Sequence, residues 1–448
     1  MELNMRGPIV SGSGIRGVFG RTLSVTDALE YAAAFGKLVG RGRVAVGRDT
    51  RKSGPAMEAA VSAGLMSVGC SPVLLGVVPT PTVQLEAMED GVVGGIAVTS
   101  SHNPGEWNAL KLVGPDGVFL RGESRKRLME LLDRGAEWVA ACEAGSSERL
   151  NGAVGRHVRR IMELPLVRRP ARGMTAVLDV TGGAAVEFAP ALMEALGVDY
   201  HLMNPGIRPD GSFPRVAEPN AGSLSKLADE VRRLEADVGF GFDPDGDRLA
   251  LVDHRGRMIG EDKTVALAID YVLEHRPGCA AVNLSTSRLA EDAAARHGGK
   301  VYRSPVGEVN VVEEMERRGA VIGGEGNGGV IDPACHLGRD SGVAMAYTLA
   351  LLDSRNTTLA EWSDSLPEYT MVKDKVPLGG DFEDIGGRLL EAFGSPDDDR
   401  DGLWFGRESG WTHVRPSGTE PVVRIICEDA DADVVRDEMD RFRKVVSD

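Results

Sequence analysis

The chain has 448 residues, and its 51 Lys+Arg against 67 Asp+Glu give a formal net charge of −16. That balance argues against a nucleic-acid backbone or an anionic membrane surface as the main partner. With 42% apolar, 5% aromatic and 26% charged residues the composition excludes disorder and fibrous repeats, and at roughly 150 residues per domain the length suggests about three domains.

The N-terminal stretch lacks the apolar core of a signal peptide, and no apolar run approaches the roughly 18 residues that span a bilayer, so the expected location is cytoplasmic. Cys70, Cys142, Cys279, Cys335 and Cys427 are scattered and form no C-x-x-C pair, which indicates neither a disulfide framework nor a thiolate zinc site. A reducing compartment fits them, and the sequons at Asn283 and Asn356 are then chance matches.

The first helix is expected to start near Ser24. Beyond it one plan recurs: a β-branched strand, a polar loop, an Ala-rich helix, a Gly stop, a second strand and a Pro-containing loop. The copies begin at Arg43–Val46, Ala176–Asp179 and Ala281–Leu284 and resume at Pro72–Val78, Tyr200–Leu202 and Val301–Tyr302. Strands alternating with helices imply βαβ units and mixed, mostly parallel sheets, with ligand loops at strand ends. Three similar α/β domains are therefore expected at 1–150, 151–253 and 254–366, followed by a smaller α+β domain at 367–448. Its terminal helix repeats apolar residues at Val434, Val435, Met439, Phe442 and Val446.

Four loops could carry chemistry. Thr99-Ser100-Ser101-His102-Asn103-Pro104 follows the apolar strand Val92–Val98, where such sheets present active-site groups, although Ser, Asn and Pro also make ordinary turns. No G-x-S-x-G elbow surrounds it. Of the eight histidines only His102 lies in a candidate loop, so the others are expected to be structural or at the surface.

Asp243-Pro244-Asp245-Gly246-Asp247-Arg248 sets carboxylates at alternate positions between two strands, a donor set for a hard cation or simply a hairpin. An EF-hand would want Gly at Arg248 and Glu at His254, and an aspartate-phosphatase loop would want a hydroxyl or branched residue at Asp247. Gly323-Gly324-Glu325-Gly326-Asn327-Gly328-Gly329 reads as a flexible loop after a strand at Ala320–Ile322, with an acid and an amide suited to paired hydroxyls. It matches G-x-G-x-x-G, as does Gly12–Gly17, but neither opens a helix as a dinucleotide site requires.

Arg415-Pro416-Ser417-Gly418-Thr419-Glu420 offers a guanidinium, hydroxyls and exposed amides, which can cradle a phosphate dianion or form a plain turn. Gly47-Arg48-Asp49-Thr50-Arg51 could hold a second anion, but a solvated ion pair is the preferred reading. A phosphoryl group on Ser101 near the aspartates would meet repulsions of about 1 kcal/mol each in water, and about 4 kcal/mol at an effective dielectric near 20. A divalent cation between them would remove that cost, which makes the loops a coherent phosphoryl-transfer site for a hydroxylated phosphate ester.

From Ser13-Gly14-Ile15-Arg16-Gly17 to Arg415–Glu420, these motifs resemble, in order, those of the α-D-phosphohexomutase family: phosphoglucomutases, phosphomannomutases and phosphoglucosamine mutases. The resemblance implies four domains around a central cleft, one loop from each. It makes Ser101 the phosphoserine, Asp243, Asp245 and Asp247 its Mg2+ ligands together with a phosphoserine oxygen, and Arg16, His102, Lys111 and Arg248 the groups around the transferring phosphoryl. Lys111 is then a proton acceptor or donor. Glu325 and Asn327 would bind sugar hydroxyls, while Arg415, Ser417, Gly418 and Thr419 would grip the unreacting phosphate.

The implied reaction interconverts hexose 6-phosphate and hexose 1-phosphate through a hexose 1,6-bisphosphate, in a monomer or homodimer. Asn327 and Gly329 stand where many members have Ser and His. Together with Glu106-Trp107-Asn108-Ala109-Leu110-Lys111, this looks most like the archaeal-type phosphoglucosamine mutase branch. The alternatives are glucose or mannose phosphates as substrates, a sugar-phosphate phosphatase using the Asp loop, and a non-catalytic sugar-phosphate-binding paralogue.

Overall fold

The computed structural model describes residues 7–11, 14–135, 137–418 and 421–447. The chain divides into two compact units, Met1–Thr264 with Gly328–Glu361, and Val265–Asn327 with Trp362–Asp448.

The first unit carries two sheets. One runs in the order Ile9–Ser11, Gly14–Val18, Trp107–Val113, Val92–Val98, Arg43–Arg48, Ser71–Val77, Glu148–Arg149. Its first three pairings are antiparallel and the rest parallel. The other runs Leu249–Asp253, Val238–Phe242, Thr175–Asp179, Asp199–Met203, and only its first pairing is antiparallel. In the second unit Lys300–Ser304, Cys279–Asn283 and Ile322–Glu325 pair in parallel. Thr370–Pro377, Val422–Asp429, Gly410–Pro416 and Leu403–Gly406 form a wholly antiparallel sheet.

Local chemistry accounts for the helix ends. Helix Val25–Val39 opens on a capping box in which Ser24 Oγ accepts from Asp27 N at 3.1 Å and Ser24 N donates to Asp27 Oδ2 at 2.7 Å. Helix Ala185–Leu196 stops at Gly197, whose φ of 71° is left-handed and favours glycine. Helix Ala432–Ser447 buries Val435, Met439, Phe442 and Val446 against Leu389, Phe405 and Val423, while Val434 is only half-buried. Each fully buried side chain of this size is worth about 1.5–3 kcal/mol.

The recurring strand–helix–strand plan is present as Arg43–Arg48, Gly54–Ser67, Ser71–Val77, then Thr175–Asp179, Ala185–Leu196, Asp199–Met203, then Cys279–Asn283, Leu289–Ala295, Lys300–Ser304. One expectation changes: the strand forecast at Ala320–Ile322 is Ile322–Glu325, so Gly323, Gly324 and Glu325 are ordered strand and only 326–328 turn. Parallel pairing of Ile322, Gly323 and Gly324 with Ala280, Ala281 and Val282 overrides the glycines' flexibility.

Arg51 organises the loop after Val92–Val98. Its Nε donates to Asp49 Oδ2 at 2.9 Å, Nη1 to the carbonyls of Pro104 and Trp107, and Nη2 to those of Ser101 and Asn103, both at 2.7 Å. All the guanidinium's N–H groups are thereby used, and Phe213 lies under it, 5.0 Å from ring centroid to Cζ. Both Arg51 and Asp49 are 1% exposed, so the expected solvated ion pair at Gly47–Arg51 is instead a buried one that braces a loop. Thr99 Oγ1 donates to Asp49 Oδ2 at 2.6 Å and accepts from Ser101 N at 3.1 Å. Thus held, Ser101 takes φ 48°, a left-handed conformation that a non-glycine residue keeps only when its surroundings over-determine it.

Replacing Arg51 by Met would leave Asp49 unpaired and the loop carbonyls without donors. Urea unfolding is expected to show a loss of about 3–5 kcal/mol for Arg51→Met and a smaller loss for Arg51→Lys, whose ammonium has fewer and unforked donors. Wild-type stability in the Met variant would refute this bracing role.

Candidate active site

Ser101, in the loop after Val92–Val98, donates from Oγ to Asp243 Oδ2 at 2.8 Å. The first two predicted loops therefore meet, though 142 residues separate them. Asp243 Oδ1 accepts from the main-chain N–H groups of Asp247 and Arg248, both at 3.2 Å, which closes the Asp turn on itself. Thr80 pins the turn twice, from Oγ1 to Asp245 Oδ2 at 2.6 Å and from its amide to the Asp245 carbonyl at 2.9 Å.

Lys111 Nζ donates to Asp245 Oδ2 at 2.6 Å and to Asp247 Oδ2 at 3.2 Å, and Arg339 Nη2 donates to Asp247 Oδ2 at 2.6 Å. Lys111 lies opposite Gly14, and Arg16 opposite Ala109, in the antiparallel pair of strands. A small cavity is lined by Gly14, Arg16, Ser101 and Lys111. Arg248 Nη1 donates to Glu218 Oε1 at 3.1 Å, and His102 Nδ1 lies 3.5 Å from Ser101 Oγ.

The electrostatics follow from burial and these partners. Burial, with the neighbouring Asp245 and Asp247, pushes the Asp243 carboxyl well above the usual carboxylate range. Burial acts the same way on Asp245, but Lys111 and hydrogen bonds from Asp243, Lys111 and Thr80 outweigh it and hold that carboxyl low. Lys111 loses solvation on burial, yet Asp245 and Asp247 more than offset this and raise its pKa. Burial, then repulsion from Arg248 and Arg16, drives His102 well below the ordinary histidine value, so the imidazole is neutral at pH 7. Burial and Arg248 likewise lower Arg16.

The carboxylates suit a cation. One oxygen from each of Asp243, Asp245 and Asp247 lies within 4.8 Å of the others, all three residues are buried, and Asp245 Oδ1 and Asp247 Oδ1 have no hydrogen-bond partner, Arg248 Nε standing 3.7 Å from the latter. Buried carboxylate oxygens without donors are costly unless something positive meets them, and an all-oxygen set favours a hard ion such as Mg2+.

A second cluster, Cys335, His336 and Asp340, also gathers ligand-type atoms, but Asp340 is already committed. Its Oδ1 accepts from Gly342 N at 2.8 Å and Val343 N at 3.3 Å, and its Oδ2 lies 2.8 Å from His157 Nε2 and 3.1 Å from His336 Nε2. Burial pushes the Cys335 thiol up, away from the thiolate a metal would need. Here the histidines are structural.

In the second unit Glu325 Oε1 accepts from Asn283 Nδ2 at 2.8 Å and Gly307 N at 2.9 Å, which fixes a buried carboxylate at a strand end. Asn327 is half-buried in the turn that follows. Arg415 pairs with Asp401 at 2.9 Å, and Asp401 Oδ2 accepts from Val306 N at 2.9 Å. The successive amides of Val306 and Gly307 thus orient Asp401 and Glu325. Ser417 N donates to Val422 O at 2.8 Å at the base of the phosphate-type loop, where Gly418 is exposed; Thr419 lies outside the described residues. Burial lowers His413 to about 4, leaving a neutral ring whose Nε2 donates to Asp401 O at 2.6 Å and whose Nδ1 accepts from Ser285 Oγ at 2.9 Å.

Thr80, Arg339, Glu218, Asp401 and the Val306-Gly307 amides escaped the sequence reading. Only Thr80 and Val306-Gly307 carried a signal, because they lie in the Pro-containing loops that end two copies of the repeat.

The chain matches the phosphoglucomutase/phosphomannomutase α/β/α domains I, II and III over residues 8–137, 156–256 and 260–369, and the C-terminal domain over 383–445. It is 34% identical over 441 residues to a probable phosphoglucosamine mutase of Methanopyrus kandleri, covering 97% of this chain and 96% of that one. It is 36% identical over 437 residues to a phosphoglucomutase/phosphomannomutase of Thermococcus kodakarensis, covering 94% of each. A solved phosphoglucomutase/phosphomannomutase family protein from Burkholderia thailandensis superposes with a TM-score of 0.85 at 27% identity, over 98% of this chain and 96% of that one. No helix among the described residues is long and apolar enough to cross a membrane. With all four domains matched in order and relatives of this identity along nearly its whole length, the chain belongs to the phosphoglucomutase/phosphomannomutase family of phosphohexomutases.

Proposed function

We propose that the protein interconverts hexose 6-phosphate and hexose 1-phosphate, with glucosamine phosphate the preferred sugar, through a phosphorylated Ser101 and a hexose 1,6-bisphosphate. The observation that carries this reading is the Ser101 hydroxyl on the Asp243 carboxylate, beside two buried carboxylate oxygens without donors. Asp243, Asp245 and Asp247 would hold Mg2+ with a phosphoserine oxygen; when bound, the ion neutralises charge on the phosphoryl oxygens. Arg16, His102 and Arg248 bind the transferring group. The P–O bond to Ser101 Oγ breaks as the substrate hydroxyl forms a new one, and that hydroxyl gives its proton to a base.

Lys111, kept cationic by Asp245 and Asp247, suits the complementary task of donating a proton to the departing Ser101 oxygen. Glu325 and Asn327 are assigned to sugar hydroxyls, and Arg415, Ser417, Gly418 and Thr419 to the phosphate that is not reacting. The bisphosphate then turns around and returns its other phosphate to Ser101. The Methanopyrus relative supports glucosamine phosphate. A second reading, glucose or mannose phosphate, is favoured by the Thermococcus relative.

Coupled assays primed with bisphosphate are expected to give a higher kcat/KM for glucosamine 6-phosphate than for glucose 1-phosphate or mannose 1-phosphate. No turnover of any of them by folded, phosphorylated protein would overturn the mutase reading. Mass spectrometry is expected to find phosphate on Ser101, and Ser101→Ala is expected to lose about 10³-fold or more in kcat. Steady phosphate release by that variant would favour the phosphatase instead. Chelation is expected to abolish turnover and added Mg2+ to restore it, while activity indifferent to chelator would remove the cation from the scheme.

A further inference from the structure

Residues 328–341 pack against the Asp turn in a way that neither motif accounts for. The carbonyl of Gly328 accepts from Leu249 N, the residue after Arg248, at 3.1 Å. At Gly329 the missing side chain matters more, because a Cβ there would lie 2.2 Å from Arg339 Cδ and 2.8 Å from its Cγ. The aliphatic stem of Arg339 therefore lies directly on the Gly329 backbone, and its guanidinium ends on Asp247 Oδ2 at 2.6 Å. Ser341 Oγ donates to the Gly246 carbonyl at 2.6 Å. Asp340, between them, is tethered by its amide to Val330 O at 2.8 Å and by its carboxylate to His157, His336 and the amides of its own helix.

We infer that Arg339 is a positioning residue for the Asp turn, and that Gly329 is glycine so that the Arg339 stem can cross it and reach Asp247. Arg339 and Ser341 grip consecutive residues of the turn, and the buried Asp340 anchor fixes both. Lys111 supplies a second cation to Asp247 at 3.2 Å, so the charge alone does not require Arg339; what it adds is a fixed direction for that carboxylate. The inference deepens the proposed reading of Asp243–Asp247 as a cation site and rests on it for its consequence, but the packing can be tested without any metal.

The test uses full-length, metal-free protein and amide hydrogen exchange of the segment 243–248. Gly329→Ala keeps every charge, and it is expected to speed exchange there about tenfold, the scale of one lost charge-assisted hydrogen bond. Gly173→Ala, where an added Cβ meets nothing within 4 Å, is the control and is expected to exchange as wild type. In an Arg339→Ala background the crossing stem is gone, so Gly329→Ala is expected to add nothing further. Unchanged exchange in Gly329→Ala, or an equal effect of Gly329→Ala with and without Arg339, would overturn the inference. Mg2+ titration by calorimetry separates the two readings. Wild type that binds no Mg2+ while exchange behaves as expected removes the cation reading alone, whereas wild-type Mg2+ affinity in Gly329→Ala overturns the positioning role.

Discussion

Three buried carboxylates within one tight turn cannot persist unless donors and cations from elsewhere balance them. Here Ser101, Thr80, Lys111 and Arg339 converge on Asp243, Asp245 and Asp247 from separate strands and loops. That requirement ties the two sheets of the first unit together, since a shift of any one of these elements would strand a charge. It also leaves two buried Oδ1 atoms without hydrogen-bond donors, that of Asp247 having only the Arg248 guanidinium 3.7 Å away.

The serine side of the site is built on a different principle. Nothing there is left over: the Arg51 guanidinium is saturated by Asp49 and the loop carbonyls, and Thr99 ties Ser101 N to the same carboxylate. The left-handed backbone at Ser101 is held by this network. A serine loop closed by its hydrogen bonds thus faces an acidic turn with two carboxylate oxygens lacking donors, and the two differ in what can perturb them.

Much of this was legible from residue types alone. The serine loop follows an apolar strand, and alternate aspartates between two strands offer a donor set for a hard cation, although the same residues also suit a plain hairpin. The repeat of strand, helix, glycine stop and strand was legible because each of its parts is a local signal. What could not be read is what depends on distant partners. Arg339 sits in a segment without a motif, and its role arises only where it crosses Gly329 and reaches Asp247, 92 residues away in sequence. Arg51 was visible as a charge but not as a buried one, because burial is decided by Phe213 and by the loop it braces. Glu325 was read into a flexible loop because neighbouring glycines mask a strand that parallel pairing creates.

The saturation of Arg51 has a consequence for how the molecule responds to its medium. A guanidinium at 1% exposure with every N–H spent on a protein acceptor offers no donor to solvent or to dissolved ions. The backbone around Ser101 is therefore held by contacts closed to solvent, whereas its hydroxyl follows the Asp243 carboxyl to which it donates. What the medium does to Ser101 Oγ is thus transmitted through Asp243, whose carboxyl is pushed above its ordinary range by burial and two neighbouring aspartates.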